Sequence, residues 1–430
     1  MLDNSRPKIV SAGMDARAAW ASPRVQAGRW TPADPVRDDP LPWPDRKDEA
    51  WRFTPWKLLV PPSWGGEPGL ADSAPPIVQF SPSDLWHEIW PYYEADGLGV
   101  FGPEERADLR VAGLGVGRPI SQRQASWLAR LGGEIADRFD QLVLQAPARG
   151  IWVELGAGAR VNGPLLLLRR AESREWDSTL SRLYFGPGSA GTLVIVDYSS
   201  DGGVHYGADL SEILLAERAQ WTIVFVQQFR GQTRRLQRTR VVLGSEAQAE
   251  VFRIDLGGAV VKAEATFRFE GKAAGLRYRG VVLLVGTQHV EVDTLQDHAA
   301  AENHSDLLVK AVVGHKAQAI HRGRIWIRRG AQRSEAYQAS RNLILSTQAR
   351  VHSLPMLDIE ADDVRCTHAS ATGPIDEEEL FYLQSRGLAE NEARRLVVEG
   401  FLGDALRGLN HDRLISAMED VIRAKLVSIL

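Results

Sequence analysis

Between about residue 150 and Cys366 the chain is written in short apolar runs broken at many points by Gly, Asn or Asp. Thr192-Leu193-Val194-Ile195-Val196, Trp221-Thr222-Ile223-Val224-Phe225-Val226 and Ala265-Thr266-Phe267-Arg268-Phe269 carry the β-branched and aromatic residues of strands. Val281-Val282-Leu283-Leu284-Val285 is apolar at every position, so both faces of that strand must be covered. Roughly 200 residues of this kind predict a sandwich, a large barrel or a β-solenoid. The strands follow one another at irregular intervals of about 10 to 25 residues, with no strict repeat motif. A β-helix with ragged coils meets these conditions, and the pattern alone leaves the three architectures open.

The flanks read differently. From about residue 31 to 78 Pro and Gly are dense, as in Pro40-Leu41-Pro42-Trp43-Pro44. Proline fixes φ and lacks a donor, which excludes a long helix here. Nine of the 13 tryptophans lie between Trp20 and Trp127, so the segment is expected to be extended and pinned to the body by aromatic rings. Helical periodicity follows at 84–93 and at 121–142, where Leu128, Leu131, Ile135 and Phe139 form one stripe. After Gly373 three helices are expected. The first starts at a capping-box-like Asp376 and Glu379 and stops at Gly387; the others span about 390–406 and 412–426. Leu414, Met418, Val421, Ile422 and Leu426 make the apolar stripe of the last, which must be buried against the body or against a partner. Three parts result: 1–150, Trp- and Pro-rich then helical; 151–373, a β core; and 374–430, a helical tail.

Composition narrows the function classes. The 430 residues carry a formal charge of -4, so no global basic field points to nucleic acid. No apolar run approaches the roughly 20 residues of a membrane span, and Met1 to Pro7 lack a signal core. A soluble cytoplasmic protein is expected. Cys366 is the single cysteine, which rules out an internal disulfide and an all-Cys metal site within one chain. There is no G-x-x-x-x-G-K-[ST] phosphate loop and no G-x-S-x-G elbow. Gly113-Leu114-Gly115-Val116-Gly117 has no βαβ context and is expected to be a loop.

The remaining candidates for chemistry are few. Cys366 and His368 stand two apart and share a side if they lie on a strand, and both suit iron or zinc. A buried cysteine beside a hydrogen-bonded histidine is the plainer reading. His298, Glu302 and His304 fit no standard zinc spacing and would face different ways across a β-turn-β. His321 to Gly330 alternates Arg with Ile and Trp, which describes one strand with a wet face before it describes an anion-binding strip.

Cys366-Thr367-His368-Ala369, Asp376 and Leu380-Phe381-Tyr382-Leu383-Gln384-Ser385-Arg386-Gly387 resemble the C-S-H-G…D-E-E…L-F-Y-L-R-S-R-G signature of the SufB/SufD family, scaffold subunits of iron–sulfur cluster assembly. Arg322-Gly323, Gly330-Ala331-Gln332-Arg333-Ser334-Glu335-Ala336-Tyr337-Gln338 and Arg341-Asn342-Leu343-Ile344-Leu345-Ser346 are similar to its second block, F-x-G…G-A-Q-x-T-D-A-Y-Q…R-N-L-L-L-S. Arg46-Lys47-Asp48-Glu49-Ala50-Trp51-Arg52-Phe53-Thr54 looks like R-x-D-E-x-W-x-Y-T. The single cysteine and the small residue at Ala369 are closer to D-type than to B-type chains, although Ala369 departs from both and Thr367 replaces Ser.

The resemblance implies a mainly β chain with a right-handed parallel β-helix core flanked by N- and C-terminal α-helical parts. It implies no catalytic activity of its own, pairing with a SufB-type subunit through the β-helix end, and docking of a SufC-type ABC ATPase by the C-terminal helices. A homodimer is the alternative for the chain alone. His368 matches an interface histidine proposed to hold a nascent cluster with a partner cysteine, and imidazole can replace thiolate on iron. Cys366 matches a cysteine of less defined role, and Phe381, Tyr382, Arg386 and Gly387 match the motif expected to face the ATPase. No tightly bound cofactor is expected on the isolated chain, only a transient iron–sulfur cluster at the interface. The competing enzyme reading, a β-helix lyase or glycosidase, would rest on Asp293, Asp297 and Glu302. A stand-alone ligand-binding protein has no feature in its favour.

Overall fold

The computed structural model describes residues 41–45, 47–66, 136–145, 149–171, 176–199, 202–407, 409, 412–427 and 429, with the backbone of strands at 98–101 and 109–114. The expected helix at 84–93 and the first part of the one at 121–142 lie outside the described residues. β1 (Leu98–Phe101) and β2 (Leu109–Leu114) precede a long run of parallel strands. One sheet orders β4 (Arg160–Ala171), β6 (Ala190–Ser199), β8 (Gln220–Gln228), β10 (Gln248–Asp255), β12 (Gly275–Leu284), β14 (His304–Val313), β16 (Glu335–Ile344) and β18 (Arg365–Pro374). The other orders β3 (Arg149–Leu155), β5 (Asp177–Phe185), β7 (Tyr206–Leu215), β9 (Arg234–Leu243), β11 (Val260–Phe269), β13 (His289–His298), β15 (Gln318–Ile327) and β17 (Arg350–Ile359). The chain alternates between the sheets, making a parallel β-solenoid of about eight turns.

Past a register break between Arg160 and Pro164 of β4, the coils are regular rather than ragged. Gln220, Gln248, Gly275, His304, Glu335 and Arg365 stand in one unbroken register across six strands. No sequence repeat betrays this, because each column requires only that its residues face the same way. Inward columns such as Leu193, Ile223, Val251, Tyr278 and Leu307 fill the central core. Val282 and Leu284 belong to that core, whereas Val281 and Leu283 face out into a second one beneath the C-terminal helices. The two-faced strands are thereby explained: burial on both sides contributes about 1.5–3 kcal/mol per large apolar side chain.

The helix expected over 121–142 is interrupted at 136–137, and α1 (Arg138–Gln145) runs three residues beyond its expected end. Asp137 is its cap rather than part of it, its carboxylate accepting from the N–H groups of Phe139 and Asp140 at 2.9 and 3.2 Å. Gly113 and Leu114, expected in a loop, close strand β2; Gly115 to Gly117 lie outside the described residues. In α2 (Glu377–Ser385) the carboxylate of Asp376 accepts from the Glu378 N–H at 2.9 Å, the side-chain cap expected there. The chain turns at Gly387, where φ is +95° and a side chain would be strained. α3 (Glu390–Gly403) leads through a 3₁₀ turn (Asp404–Leu406) to α4 (Asp412–Leu426). The α4 stripe is buried against the solenoid's own outer face.

The opposite outer face is covered by the Pro/Trp segment, a strap over residues 41–66 with three 3₁₀ turns. Trp43 stacks on Trp56 at 4.7 Å and Trp51 on Phe139 at 5.3 Å, above Leu180, Leu210, Leu236 and Val260. Inside the first coils the core is not apolar throughout. Arg169 pairs bidentately with Asp197 at 2.6 and 2.7 Å and reaches across to Ser211. Gln237 bridges Asp197 and Arg253, and Arg253 holds Asp255. Paired and hydrogen-bonded, these charges tie the two sheets together across the interior.

Candidate functional site

The two ends of the solenoid differ. At the first, the short strands β1 and β2 run antiparallel against β4 and β3; at the other, the full-length parallel strands β17 and β18 have no further strand among the described residues. An uncovered edge of this length is a template for pairing with another chain.

Cys366 and His368 lie on β18, in register with Ala336 and Gln338 one coil below. The column of Cys366 continues through Ser305 to Leu276 and that of His368 through Leu307 to Tyr278, so both side chains belong to the inward row of the last coil, on one side as the strand period requires. Cys366 is half-buried against the small cluster of Ile325, Ile327, Ala331, Ala336 and Ala361, and that burial pushes its thiol up. His368 is exposed, contrary to the plainer reading of a hydrogen-bonded histidine. Beneath them the lining turns polar. The Gln338 amide donates to the Gly323 carbonyl at 3.2 Å, in space where a Cβ on Gly323 would sit 2.2 Å away. Asn342 donates to Thr372 at 2.9 Å. One thiol and one imidazole on an open rim supply part of a coordination sphere, and no group of three or more His, Cys, Asp or Glu suited to a metal occurs among the described residues.

On α2, Leu380 is buried while Phe381 is 73% and Tyr382 56% exposed. The Arg386 guanidinium lies 5.2 Å from the Tyr382 ring, ahead of the Gly387 turn. An aromatic pair flanked by arginine has the composition of an interface anchor.

Other candidates separate. His298 is buried, stacked on Phe269 at 4.2 Å and 2.9 Å from Ser305, while His304 is exposed. Arg324 pairs with Asp358, and Arg328 with Asp297 while lying over the Trp326 ring, so the basic strip is a compensated outer face. The acids of the enzyme reading are held by cations: Asp293 by Lys262, Asp297 by Arg328 and Glu302 by Arg333. Asp293 and Asp297 are four positions apart on one strand, roughly 13 Å, beyond the ~5–9.5 Å spacing of glycosidase pairs.

Sequence reasoning missed a second cluster, where strap meets solenoid. Thr54, wholly buried, donates to Glu291, and its oxygen is 2.8 Å from His289 Nε2. Glu291 also meets Lys262 at 3.0 Å, and Lys262 meets Asp293 at 2.7 Å below the Trp51 ring. Only the Trp-x-x-Thr spacing of the strap hinted at it. Thr54→Val should destabilise the chain by about 1–3 kcal/mol by leaving Glu291 short of a donor. Chemical denaturation would show this, and a change below about 0.5 kcal/mol would remove the bond from the account.

The molecule is thus a β-solenoid whose last coil carries a thiol and an imidazole, with both flanks padded by its own strap and helices. The sequence pattern of the SUF system FeS cluster assembly SufBD core domain matches residues 182–401, and the chain belongs to that family. An iron–sulfur cluster assembly SufBD family protein of Mycobacterium bovis is 29% identical over 388 residues, 87% of this chain and 88% of its own length. One from Mycobacterium leprae is 34% identical over 239 residues, 53% of this chain and 60% of the relative. The iron–sulfur cluster assembly protein SufD of Bacillus subtilis is 35% identical over 145 residues, 34% of this chain and 33% of its own. Among the described residues no helix is long and apolar enough to cross a membrane.

Proposed function

We propose that this chain is a non-catalytic, D-type scaffold subunit of a cytoplasmic iron–sulfur assembly complex, pairing end-on with a B-type subunit. The observation that carries the reading is the last coil: among the described residues β17 and β18 end the two sheets in full-length unpaired parallel strands, and β18 bears Cys366 and His368. A second solenoid set against β17 and β18 would satisfy their free edges and bring its own thiolates to the rim. The nascent cluster is cargo, shared across that seam, with His368 as this chain's ligand and Cys366 beside it. Phe381, Tyr382, Arg386 and Gly387 form the surface offered to an ABC-type ATPase, which supplies the nucleotide chemistry this chain's sequence lacks.

The test is co-purification with a B-type homologue and the ATPase of the same host, followed by anaerobic cluster reconstitution. His368→Ala is expected to leave the complex assembled and to lose most of the cluster absorbance. Phe381→Ala with Tyr382→Ala is expected to release the ATPase while retaining the B-type subunit. Full cluster yield with His368→Ala would remove the ligand role, and failure to recover the B-type subunit would remove the end-on pairing.

A further inference from the structure

Gly323 on β15 and Gln338 on β16 face each other across the interior, one coil beneath the last. Gln338 stands on the inward row, 5% exposed, and its side chain crosses from one sheet to the other. At the far wall its amide nitrogen donates to the Gly323 carbonyl at 3.2 Å, and its oxygen lies 3.5 Å from the buried Gln296 amide nitrogen. This bar fits only because residue 323 has no side chain. A Cβ there would lie 2.2 Å from the Gln338 nitrogen, 2.4 Å from Cδ and 2.5 Å from the oxygen. Backbone conformation does not call for glycine here, since the φ of Gly323 lies outside the left-handed region. Room for the amide is what requires it.

The bar sits at one particular height. Gln338 is in register with Leu307 below and His368 above. Leu307 is wholly buried, so the bar rests on packed core. His368 is exposed, one strand spacing of about 4.8 Å higher. An inward-facing imidazole on a last coil can stand at the rim or turn down into the interior. His321, on the inward row of β15, lies inside: it is buried, with Nε2 3.3 Å from the Thr294 hydroxyl.

We propose that Gln338, braced by Gly323, is a positioning residue for His368: the bar is a floor that keeps the imidazole at the rim, presented to the seam. The proposal rests on the reading of His368 as a cluster ligand. Without the bar a cavity opens under His368, and the imidazole turns down to fill it, because a void forfeits the contacts of all its walls. With a methyl at residue 323 the amide is driven off its carbonyl. Packed core below leaves it only the rim, where it lies across the imidazole. In both cases the ring nitrogens are withdrawn from the seam.

Carbethoxylation of the isolated full chain by diethyl pyrocarbonate, mapped by mass spectrometry, reads the imidazole directly, with exposed His304 as internal reference. Both histidines are expected to react in the native chain. In Gly323→Ala, His368 should lose most of its reactivity while His304 keeps its own. Combining that change with Gln338→Asn draws the amide back by about 1.5 Å, clears the methyl and should restore His368. Should Gly323→Ala fail to fold, Gln338→Ala takes its place, opening the cavity without a clash, with the same loss expected at His368 alone. In the complex reconstituted with a B-type subunit, nitrogen hyperfine coupling to the reduced cluster is expected with the native chain and the double variant, and its loss with Gly323→Ala.

His368 reactivity unchanged in the single variants, with only the denaturation midpoint lowered, would overturn the proposal and leave the bar as packing. So would a parallel loss at His304, or nitrogen coupling retained once His368 has turned away. Retention of the cluster by His368→Ala is a different failure. It removes the ligand reading, while the reactivity comparison still decides whether Gln338 positions the imidazole.

Discussion

Replacing Arg235 by Met is expected to destabilise the chain by about 3–5 kcal/mol, the usual cost of stranding a buried carboxylate. Arg235 points into the solenoid from β9 with only 2% of its side chain exposed. It grips Asp209 through two bonds of 2.7 and 2.9 Å and reaches Asp177 at 3.1 Å. Gly207 makes room for it, since a Cβ there would lie 2.6 Å from its Nη1. Burial alone would raise Asp209; Arg235 outweighs it, with Arg169 and Arg149 adding, and holds the carboxyl at about 2. Asp177 keeps Arg149 at 2.5 Å in the variant, whereas Asp209 loses its only bidentate partner. Methionine fills similar volume, so the loss is electrostatic. A depressed carboxyl contributes stability above its unfolded value of 3.8 that disappears as pH falls to about 2. The gap between native and variant should therefore narrow across that window. Urea denaturation at neutral pH and at pH 3 measures both statements, and a neutral-pH difference below about 1 kcal/mol would show that the interior network is not needed to join the sheets.

Truncation after Gly373 is expected to leave no soluble fold. The removed helices cover Val226, Ile254, Val281, Leu283 and Val312 on the outer face with Leu402, Leu414, Met418 and Ile422. At about 1.5–3 kcal/mol per large buried side chain, loss of that interface exceeds the net 5–15 kcal/mol that holds a native chain folded. Lys310 would also lose the Phe401 carbonyl and Asp404, bonded at 2.6 and 2.9 Å. The exposed apolar sheet should drive aggregation. Soluble yield and size-exclusion behaviour decide it; a monodisperse truncated chain with native-like β content would show that the tail is an appendage. The same reasoning makes truncation unsuitable for mapping a docking partner, a task for the exposed Phe381 and Tyr382.

Much of the architecture was readable because local chemistry and tertiary position agreed. Runs such as Trp221 to Val226 became strands, and the Asp376 and Gly387 stops bound α2 as their cap and turn chemistry require. Motif similarity singled out Cys366 and His368, and the fold placed them together on the last coil. The regular coil and the helix boundary at Asp137 were not readable, since a solenoid repeats facing direction rather than residues.

The sequence by itself determined the element types, the two flanks of different composition and the family motifs, because these depend on residue order within a few turns or strands. Only the tertiary structure decided that Arg169, Arg235 and Arg253 lie inside the solenoid. In a strand, arginine reads as solvent-facing unless a carboxylate from another coil compensates it. Only the tertiary structure also joined Thr54 to Glu291, across more than half the chain length of separation, and set Lys262 between Glu291 and Asp293 beneath them. Such contacts join residues from separate segments, fixed by close packing after the chain has wound.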